Sequence, residues 1–345
     1  MTFPLLLLHR GHLLFTSLLM AAVLSPASGL PRSAFGGDTS EIDPPPRETP
    51  NVILIFIDDM GYGDVGFNGA SGPRTPHLDE MARNGMRFTD FYVGCPVCSG
   101  SRTALLTGTH YQRLNMNAVL FPHSQQGLHP DEVTIAEILR TIGYRTTCIG
   151  KWHLGHLPPC LPTMQGFDSY YGIPYSNDMW IDPANKLSES IVLREGVTQE
   201  QLEKGQKHMN WVPLMRDEEI IEYPADQTTL TKRYTEEAVR FIDAAKDGPF
   251  FLYLPHTMVH LPLAVSEEFA GRTDRLIWDA IEEVDWSVGQ INQAVHRAGL
   301  DAKTLIMFTS DNGAAGPLPA PLGGSSEEPP ASLLGDVCAA KSRKS

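Results

Sequence analysis

Asp58, Asp59, Asp311 and Asn312 offer side-chain oxygens, the donor set of a hard divalent cation such as calcium or magnesium. Either pair alone has a plain structural reading, and Asp311-Asn312-Gly313 taken alone is a turn-forming sequence. Lys151, His153, His256 and His260 add groups that carry positive charge or move protons. What joins them is position. Four short, nearly continuous apolar runs, at 51–57, 144–149, 250–254 and 304–309, read as strands buried on both faces of a mostly parallel sheet. Asp58 and Asp59 follow the first run, Lys151 and His153 the second, His256 and His260 the third, and Asp311 and Asn312 the fourth. The crevice at the carboxyl ends of strands is where open α/β sheets bind ligands, so one shared site is the economical explanation of four such coincidences.

Helix-period segments at 75–84, 131–142, 229–246 and 278–298 alternate with these runs, and glycines stand just beyond the last three. The pattern predicts an α/β sandwich, a mostly parallel central sheet between helices. With 345 residues the chain is long enough for one large core, and it shows no internal repeat. Its net charge of −14 is dispersed, without a basic stripe, which argues against a nucleic-acid partner. At the N-terminus, His9 and Arg10, an apolar run at 13–24 and the small residues Ala27, Ser28 and Gly29 follow the order of an export signal, read as 1–29. That run is too short to span a bilayer, so no stable membrane insertion is expected after cleavage. Residues 30–49, with Pro44, Pro45 and Pro46, read as a linker. Five cysteines are too few and too irregular for a disulfide scaffold, and none has zinc-finger pairing.

The most specific stretch is Cys98-Ser99-Gly100-Ser101-Arg102-Thr103-Ala104-Leu105-Leu106-Thr107-Gly108. It resembles the sulfatase signature, a Cys with Pro two residues on and Arg four residues on, leading into a Leu-Leu-Thr-Gly helix. Further resemblances follow in family order: Asp58-Asp59-Met60-Gly61, Thr75-Pro76-His77-Leu78-Asp79, Gly150-Lys151-Trp152-His153-Leu154-Gly155, Gly172-Ile173-Pro174-Tyr175-Ser176 and Ser310-Asp311-Asn312-Gly313. Singly they are weak; together, over 50–313, they are specific.

Membership would imply an alkaline-phosphatase-like fold and hydrolysis of an aryl or carbohydrate sulfate ester. It would also imply a divalent cation, calcium first and magnesium second, held by Asp58, Asp59, Asp311, Asn312 and position 98. A maturation enzyme would oxidise Cys98 to formylglycine, whose hydrate keeps a second hydroxyl that can expel sulfate where a serine would be left esterified. In that scheme Arg102 steadies the nucleophile and the carboxylates, and Lys151 neutralises charge on the nucleophile or the sulfate. His153 takes the proton as sulfate leaves, His260 protonates the departing oxygen, and Ser176 contacts sulfate. His256 competes with His260 for one role and reads equally well as a core histidine.

Two departures bear on this expectation. Gly100 stands where the signature has proline, which predicts slower or incomplete modification of Cys98. Residues 314–345 show neither strand nor helix period and are expected to be structureless, with the family's small C-terminal antiparallel subdomain missing. A phosphate or phosphonate ester hydrolase of the wider superfamily and a catalytically silent sulfatase-like protein are the competing readings.

Overall fold

The computed structural model describes residues 49–204, 207–314 and 337–340. The expected export signal, the linker and most of the C-terminal tail lie outside the described residues. A compact unit begins at Pro50.

In chain order the elements are β1 (Asn51–Ile57), α1 (Pro76–Asn84), β2 (Met86–Phe88), α2 (Cys98–Thr107), α3 (Ile135–Thr141), β3 (Arg145–Ile149), β4 (Ser169–Gly172) and β5 (Lys186–Leu193). Then come α4 (Gln199–Glu203), β6 (Leu214–Arg216), β7 (Glu219–Tyr223), α5 (Leu230–Ala245), β8 (Phe250–Pro255), α6 (Leu276–Arg297), β9 (Thr304–Ser310) and β10 (Val337–Ala340). The ten strands form one sheet in the order β2-β10-β9-β1-β8-β3-β4-β6-β7-β5. Its centre, β9-β1-β8-β3-β4, is wholly parallel. Antiparallel pairs β9–β10, β10–β2, β4–β6 and β6–β7 flank that centre. All four strands read from apolar runs are present, and each expected helix lies within a few residues of its observed bounds.

Every residue of β1 and β8 is buried, as continuous Val, Ile, Leu and Phe runs require when helices cover both faces. Ile53, Ile55 and Ile57 pack in one core with Ile281, Val284 and Val288 of α6 and Tyr234, Ala238 and Ile242 of α5. Helix α6 also buries acidic groups that receive neighbouring loops: Asp285 accepts from the amides of His77 and Leu78, and Asp279 from those of Gly271 and Thr273. The Asp285 bonds satisfy first-turn amides of α1 that have no partner within their own helix.

Strands β4 to β7 were not expected from apolar runs. They are short, or, like β5 with Lys186, Ser188, Glu189 and Ser190, half polar at the sheet edge. β10 inserts between β9 and β2 in the stretch that carries no strand period; a run of four residues is too short for periodicity to register.

Candidate active site

Parallel register brings the predicted residues together. Ile57 lies opposite Ser310, and Phe56 opposite both Pro255 and Thr309, so β1, β8 and β9 end level. Asp58 and Asp311 therefore emerge side by side, and the Asp311 amide donates to the Ile57 carbonyl at 2.8 Å. Ser310 fastens the turn, its hydroxyl accepting from the Met60 amide at 3.0 Å. Lys151 enters from the end of β3 with its amide on the Pro255 carbonyl at 2.7 Å. Helix α2 presents Cys98 in its first turn and Arg102 one turn later on the same side. Asp59 and His153 both hold a left-handed backbone, φ 59°, a conformation costly for residues with a Cβ and concentrated at functional turns.

Asp58 is the hub. It accepts from the Cys98 thiol at 3.5 Å and from the Lys151 ammonium, and it forms an ion pair with Arg102, whose Nη2 lies 3.4 Å away. The same Arg102 nitrogen reaches Asp311 Oδ2 at 2.9 Å, and Nη1 donates to the Lys151 carbonyl at 2.7 Å. Asp58, Arg102, Lys151 and Asp311 are fully buried. Burial works against ionising Asp58, yet Lys151 and Arg102 outweigh it and hold the carboxyl well below its usual range. For Lys151 burial likewise opposes the charge, and Asp58 outweighs it.

The other two carboxylates are not balanced. Burial, then the charges of Asp58 and Asp311, raise Asp59 to about 8; burial, then Asp58, raise Asp311 to about 6. Asn312 donates to both Asp59, at 2.8 Å, and Asp311. Three carboxylates thus share a pocket with two side-chain cations, and ligand atoms of Asp58, Cys98 and Asp311 lie within 4.8 Å of one another. Hard oxygen donors with surplus negative charge fit a divalent cation, which would ionise all three carboxyls.

The histidines separate into two kinds. His260 Nε2 lies 3.0 Å from the Ser176 hydroxyl and 3.8 Å from Asp59 Oδ2; Ser176 also accepts from Lys151 at 3.0 Å. His153 Nε2 lies 2.8 Å from the Leu120 carbonyl. A carbonyl only accepts, so Nε2 carries the hydrogen and the buried, unpartnered Nδ1 keeps its lone pair. Burial, then Lys151, hold His153 well below its usual range, so the ring is neutral. His256 is outside the cluster. It continues β8 level with Ile57, whose side chain faces α6, and its ring meets Ser287 of that helix at 3.1 Å. Strand alternation thus turns His256 towards α6 and away from the cluster, whereas His260 reaches Ser176.

The family model described as Sulfatase matches residues 50–330. Human arylsulfatase A is 40% identical over 272 residues, covering 76% of this chain and 52% of its own. Mouse arylsulfatase G is 39% identical over 273 residues, covering 76% and 51%. The crystal structure of Ps i-CgsB in complex with k-i-k-neocarrahexaose superposes with TM-score 0.69 at 30% identity, covering 85% of this chain and 66% of that one. This chain belongs to the sulfatase family. It spans about half the length of the curated relatives it matches.

Against the sulfatase signature, Gly100 has a local cause. A Cβ built there would lie 2.5 Å from Cys95 Sγ and 3.0 Å from Cys95 Cβ. Position 100 is in the first turn of α2, where the amide needs no helical partner and proline is tolerated by the backbone. The Cys95 sulfur is what excludes it. Cys98 itself is 7% exposed, and burial, then Asp58, push its thiol well above the usual range, so it stands as a thiol rather than a thiolate. Two supporting residues escaped sequence reasoning. Asn177, fully buried, donates to the Pro262 carbonyl at 2.9 Å and seats the His260 loop; its position next to Ser176 was the available signal. Ser99 holds the Leu120 amide at 3.2 Å, and so the carbonyl that orients His153, with no signal beyond adjacency to Cys98.

Proposed function

We propose that the chain carries the catalytic machinery of a sulfuric ester hydrolase, with Cys98 as the precursor of a formylglycine nucleophile. The observation that carries the reading is the meeting of Cys98, Asp58, Asp311, Arg102 and Lys151 in one buried cluster. Asp58, Asp59, Asp311 and Asn312 would hold the cation, calcium in preference to magnesium given the donor number. A cation there would supply charge stabilisation to a sulfate oxygen and make the nucleophile more acidic. Formylglycine at position 98, installed by a maturation enzyme, would supply a hydrated aldehyde whose two hydroxyls allow attack on sulfur and later release of sulfate.

The chain's own residues move and balance charge around that chemistry. Arg102 fixes Asp58 and Asp311 so that the donors do not splay apart. Lys151 and Ser176, already bonded to each other, present donors to a sulfate oxygen. His153 Nδ1, a free lone pair on a neutral ring, accepts the proton released when sulfate departs. His260 is suited to donate to the leaving oxygen. Its Nδ1 faces the Leu261 carbonyl, which leaves Nε2 directed at Ser176. Burial, then Lys151, lower its proton affinity, so it needs an anionic partner to charge, and a bound sulfate ester is one. The names of the relatives, arylsulfatases A and G, and the oligosaccharide in Ps i-CgsB favour an aryl or carbohydrate sulfate as substrate.

The test is peptide mass spectrometry at position 98 on chain co-expressed with a maturation enzyme, alongside nitrophenyl sulfate turnover. Aldehyde at Cys98, turnover lost in Cys98→Ala and turnover lost on chelation are expected. Full turnover by Cys98→Ala, or after exhaustive chelation, would remove the nucleophile or the metal from the scheme. Faster turnover of nitrophenyl phosphate would replace sulfuryl by phosphoryl chemistry.

A further inference from the structure

Two stretches of chain supply donors assigned above to the sulfate: 150–156, with Lys151, and 173–185, with Ser176. They begin side by side, the Trp152 amide donating to the Ile173 carbonyl at 3.0 Å and the His153 amide to the Pro174 carbonyl at 3.2 Å. Ser176 then stands on an excursion outside helix and strand, turned where the Met179 amide donates to the Ser176 carbonyl at 3.2 Å. A loop of that kind holds a hydroxyl in place only when supporting residues fasten its far end as well as its near end.

His156 fastens both ends. Its ring lies 4.7 Å from that of Tyr175, the residue before Ser176. Past the excursion, Asp182 Oδ2 lies 2.7 Å from His156 Nε2, and the Asn185 side chain donates to the His156 carbonyl at 2.8 Å. Tyr175 joins the two ends directly, its hydroxyl donating to the Asn185 side chain at 3.1 Å. Asp182 is held in turn by the Ala184 amide at 2.9 Å. His156 and Asn185 are buried, so water competes little for these bonds. A carboxylate only accepts, so Nε2 of His156 carries the hydrogen.

We infer that His156 is a positioning residue: through Asp182 and Asn185 it fixes the span between Lys151 and Ser176, 3.0 Å in this fold, so that both donors meet one sulfate group. The assignment rests on the sulfuric ester hydrolase reading and adds to it the side chain that holds the two sulfate donors in register. His156 acts through its neighbours, because its Nε2 is engaged by Asp182. Without that bond the far end of the excursion is free to shift, and a displacement of about 1 Å at Ser176 is enough to forfeit a hydrogen bond to sulfate.

The experiment compares His156→Gln, His156→Leu and Asp182→Ala in the matured full chain, reading nitrophenyl sulfate turnover and calorimetric binding of inorganic sulfate in calcium buffer. Glutamine places an amide nitrogen near the position of Nε2 and keeps a donor for Asp182; leucine does not. A hydrogen bond to a charged group is worth about tenfold in affinity, so His156→Leu and Asp182→Ala are each expected to raise KM and the sulfate Kd by that factor. The double variant should go no further, since both changes remove the same bond. His156→Gln should stay within about twofold of the parent chain. Unchanged kcat is expected, because Lys151 and Ser176 hold the sulfate alike before and during reaction and nitrophenolate leaves without needing a proton. A role in folding alone would do the reverse, lowering apparent kcat and binding stoichiometry with the folded fraction at constant KM and Kd, and that result overturns the assignment. A tenfold rise in His156→Gln overturns it too, by showing that the bond to Asp182 is not what matters. Asp182→Ala reads the same bond from a partly exposed residue if His156→Leu does not fold. A parent chain that turns over nitrophenyl sulfate, with all variants keeping its KM and Kd, leaves the proposed reaction standing without this role for His156. A parent chain with neither turnover nor sulfate binding removes the two together.

Discussion

The cluster at the ends of β1, β3, β8 and β9 and the stacked rings of Phe121, His123 and Trp180 are built on opposite principles. In the cluster, Asp58, Arg102, Lys151 and Asp311 have no exposure, and each charge is bonded to another. In the aromatic group, Phe121, His123 and Lys207 face solvent, and their contacts are weak and replaceable. A parallel sheet centre dictates where its strand ends stand, so chemistry that needs fixed charges belongs there. Recognition tolerates a looser frame and belongs to the connecting segments.

The sharpest test of that contrast is Arg102→Ala. Removing one partner from a buried ion cluster leaves Asp311 without its bonded cation and Asp58 with Lys151 alone, a loss of about 3–5 kcal/mol. Urea unfolding at neutral pH should show this, together with loss of any sulfatase turnover. Lys207→Ala should stay within about 0.5 kcal/mol of the parent chain in the same assay, because an exposed cation over an indole has little to lose. Equal losses in the two variants would erase the distinction between the regions.

His256 sharpens the comparison from inside the buried region. It is as deeply buried as Lys151, but its ring bonds to the neutral Ser287 hydroxyl, and burial lowers its pKa from 6.5 to about 4. Between those values the unfolded chain binds a proton that the folded chain refuses. Stability from this group is therefore complete above about pH 6.5 and is lost as pH falls towards 4, by up to ~3 kcal/mol. Unfolding free energies of the parent chain and His256→Gln, measured between pH 7 and 4, should converge by that amount as pH falls. Parallel curves would mean that His256 is charged or solvated in the fold.

The same contrast governs what could be read before any coordinates. β1 was legible end to end because a strand covered on both faces leaves a continuous apolar run. Strands β4 and β6 are too short to show a period, and β5 has polar residues on its exposed positions. The oxygen donors and the Cys98 segment were legible because family motifs carry them. The choice between His256 and His260 was not, since it depends on β8 lying level with β1, a register no local pattern encodes. Phe121 and Trp180 belong to no motif, and only folding makes them neighbours.

Gly100 gives the smallest and most local test of how tightly the buried cluster is packed. Its missing side chain is filled by the Cys95 sulfur, so Gly100→Pro introduces ring atoms where no space exists and should cost about 2 kcal/mol by overpacking. The backbone does not oppose proline in the first turn of α2, so the cost should trace to Cys95 rather than to the helix. Cys95→Ala removes the sulfur that lies 2.5 Å from the added Cβ but leaves its own Cβ at 3.0 Å. The double variant should therefore recover most, but not all, of the loss, a coupling of about 1–2 kcal/mol in a double-mutant cycle. It also rebuilds the Cys-x-Pro-x-Arg spacing at Cys98. If glycine alone slows modification, aldehyde yield at Cys98 should rise in the double variant over Cys95→Ala. An unchanged yield would assign Gly100 to packing alone, and additive stabilities would show that Cys95 is not what keeps proline out.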